Sequence, residues 1–104
     1  MSDADNDNLF EKLKNDIDQA KWELIEPHHQ RGAAFIISQD LNLEAVGLAM
    51  ARDESTYIRE WIQEKKLLPP NEEQIHSWSE DEVVFNYLII QPYVLFQIVG
   101  DELQ

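Results

Sequence analysis

Residues 83–99 read VVFNYLIIQPYVLFQIV, and no other stretch of the chain is so dense in strand-forming side chains. Proline offers no amide to a strand ladder, so Pro92 divides the run into two strands, 83–90 and 93–99, and the pair is expected to be antiparallel. Asn86, Gln91, Pro92 and Gln97 interrupt the apolar run, which therefore falls short of the roughly 18 to 20 uninterrupted residues of a membrane span. If the second strand, YVLFQIV, lies at a sheet edge, it is open to pairing with a second copy and a homodimer follows; otherwise a helix or an adjacent strand covers it.

The chain has 104 residues and no cysteine. Disulfides, thiolate metal sites and thiol nucleophiles are excluded together, so the core must stand on packing alone. A length of about 100 residues suits one compact domain, placed here at 9–104. Residues 1–8, with three aspartates and two asparagines, read as a disordered acidic tail. The start lacks the basic and apolar segments of a signal peptide, so the expected location is cytoplasmic.

The net charge is −13, unevenly spread: residues 1–30 carry eight acids and three bases, residues 31–70 six and five, and residues 71–104 seven acids and no base. A field of that sign repels phosphate, which weighs against nucleic acid and in favour of a basic protein partner. A plain solvated acidic surface is the simpler reading.

Leu9, Phe10, Leu13, Ile17, Ala20 and Leu24 recur at three- and four-residue steps, predicting a helix over about 9–25 that Pro27 stops. AAFIIS predicts a strand at 33–38, and Ser38 to Asn42 turns the chain. Leu43 to Ala51 reads as a short, closely packed helix, with strand as the other reading. A helix over about 56–66 follows, capped by Asp53 or Ser55, with Ile58, Trp61 and Ile62 on its inner face. Asn71 caps a short helix reaching Trp78, on which Ile75 and Trp78 point inward. The fold class is a helix-rich α+β domain of order α-β-α-α-(α)-β-β.

Apart from the extra helix, that order is the order of a winged helix-turn-helix domain. In a winged-helix-like reading, residues 43–70 are two helices around a turn with a LeuLeuPro exit like that of mercury-resistance-type regulators. Ser55 and Thr56 then open a recognition helix bearing Arg59, Lys65 and Lys66, and residues 83–99 form the wing. Against a DNA-associated regulator stand Arg52, Asp53 and Glu54 where the turn usually holds a glycine, and a wing without Lys or Arg. Clustering of Arg31, Arg52, Arg59, Lys65 and Lys66 on one face would favour it; scatter would count against it.

Trp22, Leu24, Pro27, His28, Arg31 and Gly32, then Leu41, Leu43, Val46, Gly47, Ala49 and Asp53, then Trp61, Trp78, Gln91 and Pro92 form a spaced pattern. On these residues the stretch from Trp22 through Gln97 resembles a bacterial family of small proteins known only as a domain of unknown function. Asn42 departs from it, standing where the family's Leu-Asp-Leu has an acid. The resemblance implies a bacterial origin and supplies no activity and no catalytic residue.

His28, His29 and Arg31 form the densest polar cluster and are the candidate ligand-binding residues: Arg31 can hold a carboxylate or phosphate while His28 exchanges a proton near neutral pH. The competing structural reading has His28 capping carbonyls at a helix end and Arg31 pairing with an acid. A metal site would need His28 or His29 with His76 at no recognised zinc spacing, and the five serines and one threonine lie in no nucleophile motif. No metal, cofactor or catalytic residue is therefore expected. Trp22, Trp61 and Trp78 read as core residues before they read as a stacking platform. The leading functional expectation is a non-enzymatic interaction module for a protein partner, ahead of a DNA-associated regulator and a small-ligand site at His28 and Arg31.

Overall fold

In the computed structural model, which describes the backbone of residues 2–99 and the side chains of residues 8–99, the C-terminal hairpin is the middle of a five-stranded sheet. The elements run α1 (Ser2–Asp16), β1 (Asp18–Lys21), α2 (Trp22–Gln30), β2 (Ala34–Ile37), α3 (Leu43–Ala51), α4 (Ser55–Gln63), β3 (Leu67–Leu68), α5 (Glu72–Asp81), β4 (Val84–Ile90) and β5 (Tyr93–Ile98). Strand order is β1-β4-β5-β2-β3, with β2 and β5 parallel and every other pairing antiparallel. The class is mixed α+β.

Side chains alternate along β4 and β5, and both sheet faces are covered, so the two strands are apolar on both sides. Leu88 and Leu95 pack with Leu13 of α1, Leu43 and Val46 of α3, Ile37 and Leu67 on one face. Phe85 and Phe96 pack with Trp22 and Ile25 of α2, Trp78 of α5 and Ala34 on the other. Four aromatic rings meet on that second face, with Phe85 and Phe96 edge to face at 5.1 Å and Trp22 5.5 Å from Trp78.

Several expectations stand and several are corrected. The two C-terminal strands, the helix at 43–51 and the Asn71 helix form as read; Asn71 and Gln74 make a reciprocal capping box. The helix expected over 9–25 is instead α1, β1 and the first half of α2. Apolar spacing runs through Ile17 without a break, but β1 supplies the outer strand that pairs with β4, register Asp18 opposite Tyr87 through Lys21 opposite Val84. After that strand the helical phase resets: Trp22 and Ile25 are buried and Leu24 is exposed. Pro27 does not stop a helix but lies inside α2, where it removes one amide on an exposed side of the helix. The tail expected at 1–8 concerns side chains that, Asn8 apart, lie outside the described residues; the backbone of α1 begins at Ser2.

The edge expected at 93–99 is also corrected. β5 is flanked by β4 and by β2, the latter in the register Ala34 to Val94 and Ile36 to Phe96, so it has no free edge for a second copy. The sheet ends instead on β1, four residues between two helices, and on β3, two residues followed by Pro69 and Pro70. Short edges and prolines are the usual protection against edge pairing. For the same reason residues 83–99 do not form a peripheral wing: helices cover them on both faces. Among the described residues no helix is long and apolar enough to cross a membrane.

Candidate functional site

Three helices end in one hydrogen-bonding pattern, which accounts for much of the polar sequence read above as sites. At the end of α2 the amide of Gly32 donates to the carbonyl of His29 at 2.8 Å and that of Ala33 to the carbonyl of His28 at 2.9 Å, with Gly32 at φ 74°. This is a Schellman closure, needing one left-handed residue, and glycine takes that conformation without steric cost. At the end of α3 Asp53 occupies the left-handed position at φ 58°, its amide donating to Met50 and that of Glu54 to Ala49. At the end of α4 Lys65 occupies it at φ 61°, with its amide bonded to Ile62 and that of Lys66 to Trp61. Aspartate is among the few non-glycine residues that visit this conformation readily, which is how the turn between α3 and α4 manages without a glycine.

His28, His29 and Arg31 therefore sit on a helix cap. The Arg31 guanidinium contacts Nδ1 of His28, and the His29 ring lies 5.6 Å from that of Trp22. Of the three concavities described on the surface, none is lined by His28, His29 or Arg31. The basic residues of the expected recognition helix are dispersed and partly neutralised. Arg31 belongs to the layer of α2, on the opposite side of the sheet from α3. Arg52 pairs with Glu54 at 3.5 Å, and Lys66 with Asp40 at 2.8 Å and Glu64 at 3.5 Å. The Lys66 ammonium and then the Ser38 hydroxyl, both hydrogen-bonded to Asp40, hold its carboxyl below its ordinary value; Asp40 in turn raises Lys66. Ser55, Thr56 and Arg59 are exposed on α4.

A different feature of α4 stands out. The helix is strongly amphipathic, with Tyr57, Ile58, Trp61 and Ile62 as its apolar residues, yet none of its residues is buried. Trp61 packs against the core, while Ile62 is 48% and Tyr57 55% exposed. Ile58 and Ile62, one turn apart, overhang an open groove of about 340 Å³ whose floor is Phe35 of β2, Leu67 of β3, Tyr93 of β5 and Met50 of α3. Asp53 and Ser55 complete the lining at the end where α3 turns into α4. Sequence reading places Ile62 on an inner face; its helical spacing is correct, but among the described residues no element lies opposite to cover it. Asp53 went unnoticed as a groove residue, since only the fold brings it beside Phe35 and Tyr93.

A second concavity of about 200 Å³ lies between α2 and the end of α5, where the Lys21 ammonium meets Glu82 at 3.0 Å beside Glu23 and Glu26. It is polar, and its Trp22 and Trp78 walls belong to the core.

Among curated proteins none matches the sequence. A solved structure similar to this one is the NMR solution structure of PA1075 from Pseudomonas aeruginosa, with a TM-score of 0.79 at 22% identity over 93% of this chain and 90% of that one. That likeness shows a shared fold. A family model matches residues 8–98, spanning the stretch from Trp22 through Gln97 on which the sequence resemblance rested. On that match, the chain belongs to the family described as Protein of unknown function (DUF2288).

Proposed function

We propose that the protein is a non-enzymatic interaction module whose binding face is the α4 groove. The observation that carries this reading is an amphipathic helix that buries none of its own residues, leaving Tyr57 and Ile62 about half exposed beside an apolar groove. An amphipathic stripe without an internal partner is the usual mark of an external one. Charge points the same way. A chain of net charge −13 draws basic partners toward itself, and Asp53 is the one charged residue lining the groove.

The winged-helix regulator finds less support. Two of the five basic residues it would gather, Arg52 and Lys66, are already paired with acids, and the strands that would form its wing lie between helix layers. A small-ligand site at His28 and Arg31 lacks a concavity among those described.

The test is affinity capture from bacterial lysate with and without nuclease, comparing the parent chain with Ile62→Glu and with Leu24→Glu. Leu24 is as exposed as Ile62 but sits on α2, in the other helix layer, so it serves as the control. A stoichiometric, nuclease-resistant protein retained by Leu24→Glu and lost by Ile62→Glu is the expected result. A protein retained equally by both variants would move the binding face elsewhere. Nucleic acid recovered only without nuclease would favour the regulator.

A further inference from the structure

We infer that the α4 groove selects an apolar side chain with a lysine or arginine beside it, the cation being held by Asp53. The inference rests on the groove being a docking face and specifies what docks there. Apolar groups make up most of the lining, and Asp53 is its single charged residue. An occupant that buries apolar surface in this groove meets one carboxylate there and no lining cation, so a positive charge beside its apolar group is the one that gains. Asp53 has no cation within 4 Å among the described residues, whereas the neighbouring cations Arg52 and Lys66 are each engaged by other acids. Arg59 lies on α4 one turn from both Ser55 and Ile62 but lines no part of the groove, so it flanks the site without neutralising it.

Position as well as identity is specified. Asp53 holds its carboxylate from a left-handed backbone that the Schellman closure enforces, so the group is carried on the rigid junction of two helices. Local and long-range electrostatics agree: a chain of net charge −13 concentrates cations around itself, and the groove adds a short-range partner for one of them. Phe35 and Tyr93 sit edge to face at 5.8 Å on the floor, and such rings also favour a cation nearby.

The experiment is an amide NMR titration of the full chain with four blocked tetrapeptides: glycine-phenylalanine-lysine-glycine and versions with lysine replaced by glutamine, lysine replaced by glutamate, or phenylalanine replaced by glycine. The phenylalanine-lysine peptide should shift amides around Asp53, Ile58, Ile62 and Tyr93. It should bind about two- to fivefold more tightly than the glutamine version, the range expected of an exposed ion pair, with the glutamate version weaker still. Asp53→Asn keeps the left-handed backbone and should abolish the advantage of the lysine peptide over the glutamine version. Equal binding of all three phenylalanine peptides would overturn the charge selection and leave the docking face standing. Binding of the glycine-lysine control as strong as that of the phenylalanine-lysine peptide would overturn the apolar half. Tighter binding of n-hexylammonium than of any peptide would make the groove a small-amine pocket and overturn the inference. No shift in the groove with any probe would overturn the inference and, with it, the groove as docking face; the capture comparison above tests that second point independently.

Discussion

The ring of Tyr57 stacks on that of Trp61, with centroids 6.1 Å apart and planes 26° from parallel. The two rings are neighbours on α4, but Trp61 packs against the core while Tyr57 is 55% exposed, so one anchors the helix and the other faces solvent. Tyr57→Ala should lower unfolding free energy by no more than about 1 kcal/mol, the worth of one aromatic pair. Trp61→Ala should cost roughly 2 to 3 kcal/mol, short of the value for a fully buried ring. Urea denaturation measures both. If Tyr57 belongs to the binding face, its alanine variant loses partner capture while remaining folded.

The helix caps supply a pair of opposite substitutions. Gly32 has nothing within 4 Å of where a Cβ would stand, so Gly32→Ala meets only the cost of its left-handed backbone and should destabilise by about 1 to 2 kcal/mol. Lys65 already bears that cost at φ 61°, and Lys65→Gly should stabilise by about 1 kcal/mol. Thermal melting of the two variants should shift in opposite directions. A fall in both melting temperatures would mean that the Lys65 side chain contributes more than its backbone strain removes.

Gly47 packs α3 against β4 without a side chain between them. A Cβ there would come 2.6 Å from Cδ2 of Leu88 and 3.4 Å from Cδ1 of Ile90, and Leu88 is fully buried. Overpacking of this kind costs about 1 to 3 kcal/mol, against about 1 kcal/mol gained from helix propensity. Gly47→Ala should therefore be net destabilising. Combining it with Leu88→Val, which withdraws the opposing atom, should cost less than the sum of the two single variants.

The Asp40–Lys66 pair predicts a defined pH window. Asp40 is held below its ordinary value of 3.8, so its contribution is complete above that value and is lost as pH falls through its lower folded value. Lys66 is raised above 10.5, so its contribution is complete below 10.5 and disappears as pH rises beyond it. The stability difference between the parent and Asp40→Asn should accordingly be flat from about pH 5 to 9 and shrink at both extremes, measured by denaturant titration across pH.

Much of this architecture is legible in local pattern. The C-terminal strands follow from β-branched and aromatic density with one proline, and the α5 start from Asn71 with Gln74 three residues on. The break between α1 and α2 is not legible, because Leu9, Leu13, Ile17, Ala20 and Leu24 keep helical spacing across it; β1 exists because β4 has an unpaired edge beside it. The PHHQRG segment invites a functional reading for a similar reason. Its residue types suit a ligand, but its role, two carbonyls closed by Gly32 and Ala33, is a backbone property that residue types do not announce.

The groove shows the same division. That α4 is amphipathic, that the chain has no thiol chemistry, and that its charge excess lies at the two ends are properties of residue order, because helical period and formal charge are local quantities. That Ile62 stays half exposed, that Asp53 lines one groove with Phe35 and Tyr93, and that β5 is central were decided by tertiary structure alone. Burial and adjacency depend on which distant segments arrive to cover a face, and here the parallel pairing of β2 with β5 sealed the apolar strand while no segment among the described residues covers the outer side of α4.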